Sequence, residues 1–546
     1  MERRRCGTAV IQKRWENLVK RRIHFLFFFS FSFSSFLFNM ATLEYTPLSD
    51  IPGIINDVKQ TFRTGLTKDL AFRKKQLKQL IRYFEENEAE IEKVVWSDLK
   101  KHRMEVLAET APVVNECKYM LDNLDRLAKP TSPKKVYWIN AMDTTFVRKE
   151  PKGVVLVLGA WNYPIHLALM PVVGAIAAGN CVILKPSEIS SHTANFMAKT
   201  ITSYLDQRFF KVINGAVQET SAILNHPFDH IFYTGGGTVG TIVMEKAAKF
   251  LTPVTLELGG KSPTYVTPES VNQVTANRIV WGKFYNNGQT CVAPDYVLVH
   301  RDHAEKMVSA LQKSIRDFYG LYAEKSNSYG RIINQRQFDR LVSLLNGVPS
   351  ETIVLGGYSH QDDLFIAPTI VYPAPARGVA LMNDEIFGPI LPVVPVDNVD
   401  EAIEIINQKP QPLVTYIFSD NKTEINKVLD QTSSGGVLVN DTLMHVVETS
   451  LPFGGIGGSG MGNYHGDRSF TTFSHERSTM IKSTALEPVI GARYPPYNDD
   501  KYNLFSVLIN GLPASIGAKL QTIKTVLGSS YRVLFSSSPA PDSDIL

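Results

Sequence analysis

The sequence predicts an α/β protein with two sheet-bearing domains, and three observations lead there. Between Lys152 and Gly240, short apolar runs ("GVVLVLGAWNYP", "NCVILKP", "FFKVING", "HIFYTGGG") alternate with helical stretches over 167–178 and "SHTANFMAKTITSYL". Apolar strands separated by helices imply a parallel sheet covered on both faces. A second alternating region, from about Ser262 to His445, carries "YVLVH", "TIVLGG" and "PLVTYIFSD". Finally, G-x-G-x-x-G occurs at Gly235, Gly237 and Gly240, after a strand and at the opening of a helix, where free N–H groups attract phosphate.

Taken in chain order, residues 1–40 differ from all that follows: a basic start precedes a Phe/Ser run from Ile23 to Phe38, shorter than the roughly 20 residues that span a bilayer. Such a stretch has the form of a signal peptide or short anchor; the preferred expectation is that the chain proper begins at Met40. From Asp57 to about Leu127 the pattern is helical, as in "AFRKKQLKQLIRYFEENEAEIEKVVWSDL". The stretch 129–153 reads as turn, strand, strand, a projecting hairpin. The expected organisation is a cofactor domain over 41–128 and 150–256, a catalytic domain over 257–445, bridging segments over 129–149 and 446–480, and a tail over 481–546. In that tail Leu504, Leu508, Leu512, Ile516, Leu520, Ile523 and Leu527 fall near one helical face. Pro513 and polar residues argue against a spanning helix. An interfacial helix is expected, with Lys519 and Lys524 toward anionic lipid, or else an amphipathic tail docked on protein.

Composition narrows the function. A formal charge of +4 over 546 residues, with no basic block among aromatics, argues against nucleic acid as a partner. The four cysteines (Cys6, Cys117, Cys181, Cys291) contain no C-x-x-C pair, so neither a disulfide framework nor a zinc site is expected. No H-E-x-x-H occurs, and His445, His465 and His475 read as packing or hydrogen-bonding residues, so no metal is expected.

Glu257, in "PVTLELGGKSP", lies about 20 residues beyond the glycine loop, where an ordinary alcohol or hydroxy-acid dehydrogenase holds its ribose. That reading leaves "KPSE" (185–188) and "NNGQTCVAP" (286–294) unexplained. Together with "AWNYP" (160–164), "LKPSE", "YTGGGTVG", "LELGGKSP" (256–263), "EIFGPILPV" (385–393) and "PFGGIGGSGMGNYHG" (452–466), these motifs follow an order and spacing that resemble the aldehyde dehydrogenase superfamily. "NDTLMHV" before "LPFGG", then "FSHERSTM" and "RYPPY", resemble its class 3, fatty aldehyde branch. The resemblance covers roughly Asp57 to Tyr497.

It implies a Rossmann-like cofactor domain, an α/β catalytic domain and a bridging, oligomerising hairpin, in a homodimer. The chemistry is consistent with the residues. Oxidising an aldehyde requires hydride to leave a tetrahedral carbon, so a nucleophile adds first, and thiolate both adds and departs well. Cys291 resembles that nucleophile. Asn162 resembles the side-chain donor to the oxyanion, with the backbone N–H of Cys291 as the second, and Glu257 resembles the base that activates water against the thioester. Lys185 and Glu188 match the adenine-ribose position, Gly235 and Gly240 the phosphate loop, and Glu385 and Phe387 the nicotinamide-ribose site. A carboxylate at 188 favours NAD, with NADP a weaker alternative. The expected substrate is a medium- to long-chain aldehyde, and the expected location a cytosol-facing membrane: endoplasmic reticulum, mitochondrial outer membrane or lipid droplet. Gly236 departs from the serine the family commonly has there. It leaves room for a last alternative, a non-catalytic membrane-bound binding protein of the same fold.

Overall fold

The computed structural model describes residues 43–535 apart from residue 486; the extension expected over 1–40 lies outside them. Two long helices, Leu70–Leu99 and Arg103–Ala128, begin where a side chain satisfies the free N–H groups of the first turn. Asp69 accepts from Ala71 N and Phe72 N, and His102 from Met104 N. With Ile51–Arg63 and the wholly buried helix His166–Ala178, they bury their apolar stripes in one core with the first sheet.

That sheet runs in the order Gly460–Met461, Val254–Glu257, His230–Thr234, Val154–Leu158, Cys181–Lys185, Phe210–Val212. All neighbours are parallel except the short edge strand Gly460–Met461. Val154–Leu158 is buried at every position, which is why it reads as a continuous apolar run. From this strand the chain winds outward to one side, then returns to build the other side from His230. Where strand order reverses, the carboxyl ends of Val154–Leu158 and His230–Thr234 open a crevice of the kind that takes ligands. "AWNYP" leaves the first of these strands and the glycine loop leaves the second.

The second sheet has seven strands, in the order Gly436–Val439, Val414–Phe418, Pro263–Val266, Tyr296–His300, Ile390–Val396, Thr369–Val371, Ile353–Leu355. It is parallel apart from its last pair, and an apolar cluster packs on each face.

The strand pair expected within 129–153 is a single strand, Thr144–Pro151. Its antiparallel partner is Ser474–Ile481, in register from Thr144↔Ile481 to Pro151↔Ser474. The tail is likewise not one helix. Gly511, at φ +74, ends Asp499–Asn510, and Ile516–Phe535 folds back beside it, tied by the Arg532–Asp500 ion pair at 2.7 Å. The expected apolar face is therefore split: Leu504 packs inward, while Ile516 (77 %), Leu520 (65 %) and Leu527 (67 %) stay exposed. Among the described residues no helix is long and apolar enough to cross a membrane.

Candidate active site

Cys291 ends a loop that the backbone makes at a cost. Asn286 (φ +51) and Asn287 (φ +54) both adopt the left-handed conformation, disfavoured for residues with a Cβ. Gly288 (φ +72) follows, and a methyl there would overlap the Gly388 carbonyl. Side chains around the loop hold it in place. Asn286 Nδ2 donates to the carbonyls of Asn162 (2.9 Å) and Gln289 (3.1 Å), and Asn162 Nδ2 donates to Gln289 O (3.0 Å). Gln289 Nε2 bonds Arg331 O at 3.0 Å, while its Oε1 accepts from Ile333 N at 3.0 Å. Beyond the cysteine, Tyr416 donates to Val292 O at 2.6 Å and accepts from Leu443 N at 3.2 Å.

Beneath the loop lies a network that sequence reasoning missed. Glu105 Oε1 accepts from Asn286 N at 2.9 Å. Lys101 Nζ donates to Glu109 Oε1 and to Asn162 O, both at 2.6 Å, and Glu109 Oε2 accepts from Ile165 N at 3.1 Å. A signal was present: Glu105 and Glu109 share a helix face with Val106 and Val113, all of them buried, and carboxylates inside an apolar stripe need partners.

Cys291 is half-buried and opens on a cavity of about 110 Å³, lined mostly by apolar side chains such as Tyr163, Leu167, Trp281, Leu443 and Phe453. Burial pushes its thiol well above the ordinary range, with the charges of Glu385 and Glu257 adding to the rise. Glu257, at the end of strand Val254–Glu257, is 3 % exposed, and neither carboxyl oxygen has a hydrogen-bond partner. Burial raises its pKa well above the ordinary carboxylate value. Tyr464, which lines the same cavity, is influenced by the charges of both Glu257 and Cys291. The Glu257 carboxyl thus lies near enough for its charge to act on the Cys291 thiol, and the Asn162 amide reaches the same loop at Gln289 O.

The remaining candidate residues lie around the crevice. Lys185, ending strand Cys181–Lys185, pairs with Glu188 at 2.6 Å. Gly236 and Gly237 open the helix Gly237–Ala248, and a Cβ on either would meet nothing within 4 Å. Tyr233 donates to Gly236 O at 3.2 Å beneath the loop. Gly240, expected among the cofactor residues, is buried, and a Cβ there would come within 2.9 Å of Leu258, just past strand Val254–Glu257. The Glu385 carboxyl lies against Gly259, receives the Gly260 N–H, and is pushed up to about 8 by burial and Asp295. Phe387, at φ +51, packs edge-on to Trp161 with ring centres 5.4 Å apart. A glycine cradle at a helix start, a Lys–Glu pair at the end of a strand two places along the same sheet and a ring beside the cysteine loop suit a dinucleotide. His445 is half-buried against Tyr416 and His465 buried against Phe453, with burial lowering them to about 4 and about 3. Among the described residues no group of three or more His, Cys, Asp or Glu could hold a metal.

A family model described as the aldehyde dehydrogenase family matches residues 39–479. The chain is 47 % identical over 448 residues to aldehyde dehydrogenase family 3 member A2 of Rattus norvegicus, covering 82 % of this chain and 92 % of that one. It is 46 % identical to the dimeric NADP-preferring aldehyde dehydrogenase of Mus musculus, covering 82 % and 98 %. A solved structure, the substrate-bound state of Staphylococcus aureus AldH, superposes with a TM-score of 0.80 at 41 % identity, covering 84 % of this chain and 99 % of that one.

Proposed function

Because the chain belongs to the aldehyde dehydrogenase family, we propose that it oxidises medium- to long-chain fatty aldehydes to carboxylic acids with NAD, through a thiohemiacetal and a thioester on Cys291. The observation that carries this reading is the unpartnered, buried Glu257 carboxyl, whose charge acts on the Cys291 thiol where that thiol opens on an apolar cavity. A buried acid without partners is costly to keep and is characteristic of a group waiting for substrate.

In this mechanism the Cys291 thiol releases its proton to water as sulfur bonds the aldehyde carbon. The new oxyanion is held by the Asn162 amide and the Cys291 N–H, in a site where fixed donors act without reorganising. Bound NAD supplies the acceptor for the hydride. Glu257 then takes a proton from water as that water attacks the thioester, releasing the acid and restoring the thiol. Lys185 and Glu188 would hold the adenine ribose, the Gly235–Gly237 loop the pyrophosphate, and Glu385 and Phe387 the nicotinamide ribose and ring. NAD is preferred because the Glu188 carboxylate would repel a 2'-phosphate; the relative called NADP-preferring keeps NADP as the weaker alternative.

On the same reading, residues 41–128 and 150–256 form the cofactor domain, 257–445 the catalytic domain, and 129–149 with 446–480 the bridging segments. The ribbon of Thr144–Pro151 and Ser474–Ile481 would serve a homodimer. The exposed Ile516, Leu520 and Leu527 face would rest on a cytosol-facing membrane surface, where long-chain aldehydes concentrate. An alcohol dehydrogenase would leave the Cys291 loop without a task, and a non-catalytic scaffold would leave Glu257 without one.

The test is to incubate the protein beginning at Met40 with hexadecanal and NAD, follow NADH, and trap acyl-enzyme for peptide mass spectrometry. NADH with an acyl group on Cys291 supports the mechanism. Silence with hexadecanal, shorter aldehydes and NADP overturns it.

A further inference from the structure

We propose that Lys101 and Glu109 are positioning residues that set the Asn162 amide for the acylation step; this rests on the oxyanion role proposed for Asn162. Both side chains are completely buried, 2.6 Å apart. A buried ion pair is a poor stabilising device, since apolar replacements of similar volume often do as well, so its location calls for another account. Lys101 lies in the link between Leu70–Leu99 and Arg103–Ala128. Its neighbour Lys100 turns the chain through the left-handed region (φ +55).

The pair grips the turn that carries Asn162 at three points. Lys101 Nζ bonds the Asn162 carbonyl at 2.6 Å and lies 3.9 Å from the centre of the Tyr163 ring. Glu109 takes the Ile165 N–H at 3.1 Å with its second oxygen. Tyr163 in turn shares a 2.7 Å hydrogen bond with Thr290, next to Cys291. Fixing the carbonyl of residue 162 fixes its peptide plane, and with it the direction in which the Asn162 side chain leaves the backbone. The Asn162 amide needs that constraint because its own bond, to Gln289 O, ties it to the Cys291 loop rather than to a rigid element. Lys101 and Glu109 touch no reacting atom; they act through Asn162.

The test compares Lys101→Met/Glu109→Gln, which leaves no unpaired buried charge and keeps an acceptor for Ile165 N, with wild type, Lys101→Arg, Asn162→Ala and the triple variant. Pre-steady-state NADH formation, deacylation, KM, NAD affinity and melting temperature are measured for each. The expected result is a tenfold or greater loss in acylation rate, with KM, NAD affinity and deacylation within about twofold and substantial recovery in Lys101→Arg. In the Asn162→Ala background the double substitution should add almost nothing. A full acylation rate in the folded double variant, or a loss that persists undiminished without Asn162, overturns the proposal. An Asn162→Ala protein that acylates normally overturns the oxyanion reading itself, and is distinguishable because that variant alone reports it.

Discussion

Asn286 donates its backbone N–H to Glu105 Oε1 at 2.9 Å, so a carboxyl from the N-terminal helices supports the left-handed turn before Cys291. Burial pushes Glu105 up to about 7. A carboxyl raised in the folded state contributes fully to stability below its unfolded value near 4.5 and loses that contribution as pH rises through about 7. Glu105→Gln keeps an acceptor for Asn286 and cannot ionise. It should therefore match wild type near pH 5 and exceed it near pH 8, by up to about 3 kcal/mol. Urea unfolding at both pH values checks this; an equal difference at the two would show that Glu105 does not titrate as described.

The thiol of Cys291 is raised by burial, then by Glu385 and Glu257. The free enzyme should consequently react slowly with iodoacetamide at neutral pH. Burial and the charge of Asp295 push Glu385 itself up to about 8, so below that pH it should carry little charge to remove. Glu385→Gln is expected to speed alkylation above about pH 8 and leave it nearly unchanged at pH 6. A uniform acceleration would mean that Glu385 acts through packing, not charge.

Replacing the nucleophile and replacing the base should give different phenotypes. Cys291→Ala should abolish aldehyde oxidation while NAD still binds, read by turnover and by cofactor titration. Glu257→Gln should slow steady-state turnover roughly 10²-fold or more while acyl-enzyme accumulates. Normal turnover with no accumulation would remove Glu257 from the base role.

Gly236 has open space around it and caps the helix Gly237–Ala248 with ordinary φ (−76°). Serine fits there without strain. Gly236→Ser is expected to tighten NAD binding about two- to tenfold, the worth of one hydrogen bond to the pyrophosphate, measured by fluorescence titration. Unchanged affinity would indicate that the backbone N–H groups already satisfy the phosphate.

Periodicity was enough to read the two parallel sheets, since strands such as Val154–Leu158 are buried at every position and appear as unbroken apolar runs. The positions proposed for the site, Cys291, Asn162 and Glu257 among them, drew notice because each sits in a short local motif, Glu257 at a strand end, Asn162 just beyond one and Cys291 in a loop. What escaped were effects of distance. The partner of Thr144–Pro151 lies far along the chain at Ser474–Ile481, and no local pattern encodes that pairing. Lys101, Glu105 and Glu109 looked like ordinary charges of long helices; only the packing of those helices under the Cys291 loop gives them partners. The tail stripe misled for a simpler reason: Gly511 turns the chain back before the stripe can continue.

The strand Gly460–Met461 closes the first sheet against Leu256–Glu257, roughly 200 residues earlier, and Ser474–Ile481 closes the ribbon begun at Thr144. During synthesis the edge beside Glu257 stays bare until nearly all of the chain has left the ribosome, and pairings this remote form late and slowly. Refolding should thus be sluggish and chaperone-assisted, and a nascent chain stalled before residue 481 becomes a target for quality control even though its nucleophile, base and oxyanion donor have all been translated.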